Sequence, residues 1–470
     1  MVRRDARHGS RLAFWLPVLL VVALLGGAGT AYWLDRDQPD PTEDPEQVAP
    51  PAGLELPPLT DPAPVATAAV GSADPVKVRR ALAPLLGDDD LGPHVLTTVA
   101  GVDGSLLFTD GTGEAVPAST LKLLTAAAAL ETMGPDHAFA TTVVSAGPRR
   151  IVLVGGGDPL LSATRPERGD YPRPADVVTL ARATAAQLQA SGTTRIRLGY
   201  DATLFTGPDV NPHWPPSYLP DEVVAPIQSL WVDEGRPLEG TGRVEDPAQV
   251  AATVFAAALA RAGIEVVGVP EPRSADPAAP EIARVTSPPL AQIVEHTLLV
   301  SDNEAAEVLA RQVAIATGAP ATFVGGADAV LSTVAGLGVP TSGATTYDGS
   351  GLSRDNRLDP DTLTGVLELA GSAEHPDLRT VLTGLPVAGF NGSLSERFAE
   401  ISDEEGRGSV RAKTGTLTGV SGLAGTVTDR TGTPMVFAVL ADDIALLDTL
   451  DARAALDDVA AALAACRCAA

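Results

Sequence analysis

The sequence predicts an α/β fold of the α+β kind: a five-stranded antiparallel sheet flanked by helices, with smaller α/β modules inserted into the chain that forms it. Two strand-like runs lie early in the body, at His94–Ala100 and Ser105–Thr109. Three more lie near its end, separated by turns of Gly, Asp and Thr that are typical of a meander: Ser409–Thr416, Ser421–Thr428 and Pro434–Leu440. The chain between the two groups must therefore leave the sheet and return.

Helices are predicted on both sides of these strands. Apolar residues recur at helical spacing over 78–86, where Pro84 leaves the end of the helix open. An apolar run predicts a second helix over Ala118–Met133. A last helix follows the meander and carries three apolar residues on one face: Leu456, Val459 and Leu463.

The long middle stretch predicts an insertion. We expect 71–142 and 287–470 to form one split domain, and 143–286 to form one or two inserted α/β modules. Within the insertion, Asp176–Ser191 and Asp246–Ala262 predict helices rich in Ala and Val. Each is followed by Gly and a short strand, which indicates weak internal similarity.

Composition excludes several classes of function. The 470 residues carry a formal net charge of −26, so nucleic acid is not an expected partner. A hydrophobic content of 45% excludes a mostly disordered chain. The two cysteines, Cys466 and Cys468, lie near the C-terminus, and we interpret them as tail thiols, to which the sequence assigns no role. No disulfide framework or cysteine-based zinc site is therefore expected in the body.

No cofactor or metal is expected. The run Ile151–Asp158 resembles a dinucleotide-binding loop, but Leu160 occupies the position of the third glycine, which favours a strand and a tight turn. The six histidines form neither an HExxH motif nor a ligand pair at helical spacing. The GxSxG motif of a nucleophile elbow is absent from the sequence, so a Ser-His-Asp triad has no local support.

The N-terminus predicts export. Residues 1–11 are rich in Arg and predict a short cytoplasmic tail, followed by an uncharged run at 12–34. As a helix this run would be about 34 Å long, enough to cross a bilayer with the N-terminus inside and the body on the outer, cell-wall side. A cleaved signal peptide, with secretion of the body, is the alternative. Residues 35–70 are rich in Pro and acidic residues and predict a tether.

The first chemical motif is Ser119-Thr-Leu-Lys122, at the start of the predicted helix. Positions three apart share a helix face, so the Lys amine can reach the Ser hydroxyl. Lys can act as a base because burial lowers its pKa, whereas Arg stays protonated. A Ser N-cap followed by an exposed Lys is the alternative. The chain has three lysines, and two of them, Lys122 and Lys413, fall in the chemical motifs, while Lys77 lies outside them.

The second motif is Ser301-Asp302-Asn303. It has two interpretations of equal weight. Ser301 with Glu304 fits a capping box that opens a helix over Ala305–Ala314. Alternatively, Ser301 relays a proton and the Asn303 amide binds a substrate carbonyl.

The third motif is Lys413-Thr414-Gly415-Thr416, on a predicted strand. Lys413 supplies positive charge, and the two threonines supply hydroxyls for a carboxylate. Gly415 has no side chain, so a substrate can lie along the strand edge as an added strand.

In this order the motifs SxxK, SDN and KTG form the set found in penicillin-binding proteins and class A β-lactamases. The 182 positions from Ser119 to Ser301 are too many for a compact β-lactamase. The chain instead resembles the D-alanyl-D-alanine carboxypeptidase/endopeptidase family, the penicillin-binding protein 4 type of DD-peptidase. Over about 72–465, four shorter stretches also look like that family: Gly155–Pro159, Val232–Arg236, Asp348–Arg354 and Gly392–Leu394.

The resemblance implies a β-lactamase/transpeptidase-like fold and a serine-type D-Ala-D-Ala carboxypeptidase, with endopeptidase activity as a further option. Peptidoglycan stem peptides would be substrates, and β-lactams would acylate the enzyme. Ser119 would be the nucleophile and Lys122 its base. Ser301 and Lys413 would pass a proton to the leaving amine.

The resemblance also implies a substrate-binding set. Asn303 would hold the substrate amide, and Thr414 and Thr416 on either side of Gly415 would hold the terminal carboxylate. Backbone N–H groups of Ser119 and Thr416 would form the oxyanion hole. Arg354 resembles a family residue near the free end of the diaminopimelate side chain, with a surface Arg after a turn as the alternative.

One family feature is missing. Members often carry an Asp just after a Trp to receive the diaminopimelate amine, whereas here Trp214 precedes Pro-Pro-Ser-Tyr and the nearest carboxylate is Asp221. Two other functions are alternatives. One is a β-lactamase, which would deacylate rapidly. The other is a scaffold that binds wall peptide without turnover.

Overall fold

The computed structural model describes residues 72–470. The predicted cytoplasmic tail, the membrane-crossing run and the whole tether therefore lie outside the described residues. Within 72–470, none of the helices combines the length and the apolar character needed to cross a bilayer.

The described chain alternates strands and helices. The strands are β1 (Val95–Gly101), β2 (Leu106–Asp110), β3 (Ala140–Ser145), β4 (Arg150–Val154), β5 (Arg195–Asp201), β6 (Glu265–Val266), β7 (Glu271–Pro272), β8 (Glu281–Thr286), β9 (Val410–Leu417), β10 (Val420–Thr428) and β11 (Pro434–Ala441). The helices are α1 (Pro75–Leu82), α2 (Lys122–Met133), α3 (Val177–Ala190), α4 (Pro247–Arg261), α5 (Leu290–Val300), α6 (Asn303–Ala316), α7 (Phe323–Gly336), α8 (Pro360–Gly371), α9 (Arg379–Thr383) and α10 (Thr449–Ala465).

The five predicted strands form one antiparallel sheet, in the order β2-β1-β11-β10-β9. The prediction of this sheet is confirmed. β11 is buried along almost its whole length because helices cover both faces. Alternate residues of β11 face opposite sides, as the pleat requires. Val436 and Ala438 pack with α2 and α8, whereas Phe437 and Val439 pack with α1 and α10.

A second, six-stranded sheet is built from residues between 140 and 286, in the order β6-β5-β4-β3-β8, with β7 beside β5. It is mixed: β3 runs antiparallel to β4 and β8, while β5 runs parallel to β4 and β6. Apolar residues of α3 and α4 cover this sheet. The two predicted helix-Gly-strand units thus share one sheet. Gly192 and Gly263 follow the two helices with φ of 71° and 88°, a conformation that favours glycine.

The C-terminal cysteines correct the sequence interpretation. Cys466 and Cys468 form a disulfide, with their Cα atoms 5.3 Å apart. After α10 the chain runs back beside the first described residues, where the Asp74 N–H donates to the Cys468 carbonyl at 2.6 Å. Cys468 is buried there, so the two cysteines are a disulfide packed into the fold and not the tail thiols that we expected.

Candidate active site

Three segments that are far apart in sequence meet at one edge of the five-stranded sheet. They are the turn that enters α2, the junction between α5 and α6, and the edge strand β9. Each carries one of the three sequence motifs. The structure brings the motif residues together through hydrogen bonds between the segments.

Ser119 lies in a short 3-10 turn, Ala118–Leu121, that leads directly into α2 at Lys122. Ala118 has a φ of 47°, and the carbonyl of this residue approaches Gly351 so closely that a Cβ there would lie 1.8 Å away. Gly351, itself at a φ of 85°, is therefore required for this turn. Ser119 remains half-buried, so its hydroxyl is accessible.

The Lys122 side chain is completely buried and makes three hydrogen bonds. Its Nζ donates to Ser119 Oγ at 2.8 Å, to Asn303 Oδ1 at 2.9 Å and to the Ser350 carbonyl at 2.8 Å. A charged ammonium has three donors, so all of them are used. A neutral amine could keep the Asn303 and Ser350 bonds and accept the Ser119 proton. The exposed-Lys alternative for this motif is wrong.

The pKa of Lys122 is lowered to about 8, and burial is the main cause. Nearby carboxyl groups oppose that shift because they favour the ammonium form, and Glu307 is the strongest of them. At pH 7 about a tenth of the lysine would then be neutral. Burial and three hydrogen-bond partners thus produce a lysine suited to accept a proton near neutral pH.

The second motif forms the junction between two helices. Ser301 ends α5 in the left-handed conformation, with a φ of 62°, which turns its side chain towards β9. The N-cap of α6 is Asp302, whose Oδ1 accepts from the Ala305 N–H at 2.9 Å. The Glu304 carboxylate pairs with Arg243 instead of reaching back to Ser301. The capping-box alternative is therefore wrong.

Lys413, on β9, contacts the second motif from the side of the sheet. Its buried Nζ donates to Ser301 Oγ at 2.8 Å and to the Thr414 carbonyl at 2.9 Å. The pKa of Lys413 lies well below its usual value, first because of burial and then because Lys122 and Arg397 repel its charge. Arg397 is held by two bonds to the buried Asp457, at 2.9 and 2.7 Å. Neither Arg397 nor Asp457 was identified from the sequence.

The rest of the third motif lies on an open strand edge. β9 is the last strand of the sheet, and segment 386–388 bonds to its first residues, ending with the Ala412 N–H donating to Pro386. Beyond Ala412, no residue within 72–470 pairs with the outer edge of β9. Gly415 lies against the Ser119 turn, where a Cβ would meet the Pro117 carbonyl at 2.7 Å. The strand and the nucleophile turn can approach only because this residue is Gly.

The hydroxyl groups of this strand face the opening. Thr414 Oγ1 shares a 2.8 Å hydrogen bond with Ser393 Oγ, in the Gly392–Leu394 turn, and Thr416 is exposed. Asn303 Nδ2 donates to the Val223 carbonyl at 3.1 Å, which fixes the amide that also contacts Lys122. Hydrogen bonds and the close approach of Gly415 thus bring the three motifs together around the space between Ser119 and the open edge of β9, which we call the cleft.

Arg354 lies at the rim of this cleft rather than inside it. Its side chain is exposed, and a guanidinium nitrogen donates to the Thr418 carbonyl, just beyond β9, at 2.8 Å. The guanidinium also acts on Tyr218: burial raises the pKa of Tyr218, and Arg354 partly offsets the rise. Trp214 is buried and donates to Asp348 at 2.9 Å, so it belongs to the support of the cleft.

The loop 348–353 supports the Ser119 and Lys122 side chains from behind. Asp348 accepts hydrogen bonds from the Gly351 and Ser353 N–H groups at 3.0 and 2.6 Å. Glu307 accepts from the Ser350 N–H at 2.8 Å. The sequence resemblance singled out this loop without giving it a task, and Glu307 carried no sequence signal beyond its place four residues after Asn303.

A cavity of about 700 Å³ opens beside Ser301 and Asn303. In its wall, ligand atoms of Glu234, His296 and Asp302 lie within 4.8 Å of one another, a spacing that could hold a metal ion. Both carboxylates already have partners: Glu234 pairs with Arg236, and Asp302 caps α6. The two carboxyl groups that would bind a metal ion therefore already form an ion pair or a helix cap within the protein.

The fold and these side chains place the protein in the class of serine hydrolases built on a five-stranded antiparallel sheet. A family model for the D-Ala-D-Ala carboxypeptidase 3 (S13) family matches residues 78–238 and 235–463. The chain belongs to this family.

Named relatives agree with this assignment. The carboxypeptidase DacB of Mycolicibacterium smegmatis is 36% identical over 479 residues, which cover 98% of each chain. A carboxypeptidase of Mycobacterium tuberculosis is 37% identical over 411 residues, 86% of each chain. Penicillin binding protein 4 of Haemophilus influenzae shares the fold, with a TM-score of 0.66 at 22% identity over 82% of this chain and 97% of that one.

Proposed function

We propose that the protein is a serine-type D-Ala-D-Ala carboxypeptidase that trims peptidoglycan stem peptides and is acylated by β-lactams. The observation that carries the proposal is the 2.8 Å hydrogen bond between Lys122 Nζ and Ser119 Oγ in a cleft beside an open strand edge. Family membership and the carboxypeptidase relatives support the substrate class.

In the first step Ser119 Oγ attacks the carbonyl carbon of the penultimate D-alanine. Its proton passes to neutral Lys122, while the bonds to Asn303 and Ser350 keep the amine in place. A C–O bond forms and the carbonyl oxygen becomes an oxyanion. Backbone N–H groups of Ser119 and Thr416 are suited to stabilise that charge.

Collapse of the intermediate breaks the C–N bond. The leaving D-alanine nitrogen needs one proton, and Ser301 Oγ can supply it because Lys413, 2.8 Å away, replaces it. Water then attacks the ester on Ser119, and the shortened peptide leaves as a carboxylic acid. Lys122 returns its proton to the Ser119 oxygen, and the second proton of the water passes through Ser301 to Lys413, which restores both lysines. A β-lactam ring would open at the first step and leave no departing group, so its ester would persist.

The open edge of β9 would align the substrate. An extended peptide added beside 414–417 would continue the sheet, and its terminal carboxylate would meet the hydroxyls of Thr414 and Thr416. Lys413 would add positive charge below them. Arg354, at the rim beside Thr418, would contact the side chain of the third stem residue.

Intact-mass spectrometry after brief exposure to benzylpenicillin tests this proposal. We expect one stable penicilloyl adduct, which peptide mapping places on the peptide that contains Ser119. Hydrolysis of the drug without an adduct would identify a β-lactamase instead. Neither adduct nor hydrolysis would indicate a scaffold that binds wall peptide without turnover.

We also propose that residues 12–34 anchor the enzyme in the cell membrane as one span, with residues 1–11 inside and the peptidase outside. The uncharged length of this run and the arginines before it support the proposal. Carbonate extraction of membranes from cells should leave the full chain in the pellet, whereas a variant without 1–34 should not be exported. Recovery of a soluble chain that begins near residue 31 would instead establish signal cleavage.

A further inference from the structure

Helix α6 presents three functional groups on one face. Asn303, Glu307 and Arg311 are spaced four residues apart, so their side chains lie above one another. Asn303 contacts Lys122, and Arg311 lies over the ring of Phe323 at 4.0 Å. Glu307, between them, is almost completely buried, with 1% of its surface exposed. A buried glutamate needs partners, and these partners connect it to the site.

The contacts of Glu307 lead directly to Lys122. Its Oε1 accepts from the N–H groups of Gly349 and Ser350 at 3.1 and 2.8 Å. The carbonyl of the same Ser350 accepts from Lys122 Nζ at 2.8 Å. Ser350 therefore donates its N–H to the Glu307 carboxyl group and accepts a hydrogen bond from Lys122 at its carbonyl. Thr125, on α2, fixes the adjacent Gly349 carbonyl at 2.7 Å.

Several charged groups surround this pair. The carboxyl groups that act on Lys122 are Glu307, Asp302, Asp348 and Glu304, and the cation is Lys413. Those that act on Glu307 are Asp348 on the loop and Arg311 on α6. Asp302 caps the N-terminus of α6, and Asp348 accepts a hydrogen bond from the Ser353 N–H of the loop. Glu304 forms an ion pair with Arg243. Glu307 alone among the four carboxyl groups is bonded to Ser350, the residue whose carbonyl holds Lys122.

We propose that Glu307 is a positioning residue of this active site, one that holds the Ser350 carbonyl against Lys122 and sets the pH at which Lys122 loses its proton. The inference rests on the proposed role of Lys122 as the base. Burial raises the pKa of Glu307 to about 8, close to that of Lys122, so about half of Glu307 carries its charge where Lys122 titrates. That carboxylate form favours the ammonium form of Lys122. Removing the charge of Glu307 therefore lowers the pKa of Lys122, and the lysine becomes neutral at lower pH.

The lysine content of the chain allows a direct test that needs no substrate. Only Lys77, Lys122 and Lys413 contribute signals when the full-length protein is labelled with ε-13C lysine. Lys122→Arg and Lys413→Arg assign the two buried signals. In Glu307→Gln, whose amide oxygen can still accept both loop N–H groups, we expect the titration midpoint of Lys122 to fall by about one pH unit.

Kinetics give a second readout. The acidic limb of kcat/KM for D-alanine release reports the base of the free enzyme, so it should move to lower pH by the same amount in Glu307→Gln. Glu307→Asp keeps the carboxyl group, but its shorter side chain no longer reaches the N–H groups of Gly349 and Ser350. It should leave the midpoint within a few tenths of a unit and reduce the rate of acylation by benzylpenicillin about tenfold or more.

Glu368→Gln is the matched control. Glu368 is a half-buried glutamate on α8, and burial raises its pKa to about 7, but it is not among the groups that act on Lys122. Its substitution should leave the Lys122 midpoint unchanged. Lys122 midpoints that coincide in wild type and Glu307→Gln would overturn the inference, as would a shift of equal size in Glu368→Gln. Failure of the wild-type enzyme to be acylated would instead count against the proposed function, and the lysine titration would still decide the inference.

Discussion

Lys122 and Lys413 are both completely buried lysines in one cleft, yet the charges around them are opposite. Lys122 lies among carboxyl groups, which favour its ammonium form and limit the fall of its pKa to about 8. Lys413 lies near two cations, Lys122 and Arg397, which act in the same direction as burial and lower its pKa further. In the free enzyme, Lys413 is therefore the less stable ammonium.

This difference suggests how substrate binding prepares the base. A peptide carboxylate that arrives at Thr414 and Thr416 brings negative charge to Lys413 and favours its protonation. Because the two ammonium groups repel each other, a proton on Lys413 disfavours one on Lys122. We therefore expect the anionic end of the substrate to promote the neutral form of Lys122 where it is needed.

The largest effect should come from removing the nucleophile that the two lysines serve. Ser119→Ala should abolish penicilloyl adduct formation and D-alanine release, while the melting temperature stays close to that of wild type because Ser119 is only half-buried. Ser421→Ala is the control: this serine is buried on the neighbouring strand β10, and its hydroxyl has no partner among the described residues. Covalent labelling of Ser119→Ala would refute the nucleophile assignment.

Arginine substitutions should separate the two lysines. Lys122→Arg retains a charge but cannot give up its proton, so the acylation rate by benzylpenicillin should fall by about 10²–10⁴-fold. Lys413→Arg retains the charge that attracts the carboxylate and should lose about tenfold less. Stopped-flow acylation rates, measured beside circular dichroism spectra, would check this order. Equal losses would show that the surroundings of the lysines do not distinguish their roles.

The cation beside Lys413 depends on its own partner. Asp457→Asn leaves Arg397 buried without a counter-charge and should lower the free energy of unfolding by about 3 kcal/mol, measured by urea denaturation. Asp458→Asn, at the next position, should change it by no more than about 0.5 kcal/mol, because Asp458 forms no ion pair with any residue of 72–470. Similar losses in both variants would contradict a buried ion pair.

The smallest effect should appear at the rim. Arg354→Ala should lower kcat/KM about two- to fivefold for a stem peptide whose third residue ends in a carboxylate, because an exposed ion pair contributes no more than about 1 kcal/mol. Acylation by benzylpenicillin, which lacks that side chain, should be unaffected. A loss of the same size with both substrates would mean that Arg354 supports β9 through Thr418 rather than selecting the substrate.

Local sequence patterns were sufficient to predict the strands and the catalytic motifs of this protein. The strands were predictable because a short run of strand-forming residues bounded by turn residues is a local signal, and Ser119 and Lys122 were predictable because three positions along a helix share a face. The order of the strands in the sheet could not be predicted from local patterns. β1 lies between β2 and β11, and its pairing with β11 joins residues more than 300 positions apart.

The sequence by itself determined the residue types of the chemistry: two serines and two lysines in three short motifs, in a chain whose one other lysine is Lys77. Tertiary structure decided their electrostatics. The Ser350 carbonyl reaches Lys122 from 228 positions away, and Asp457 holds Arg397 from 60 positions away. Burial and neighbouring charge set a pKa, and both depend on which distant segments pack together, so no local pattern could show that Glu307 and Arg397 belong to the site.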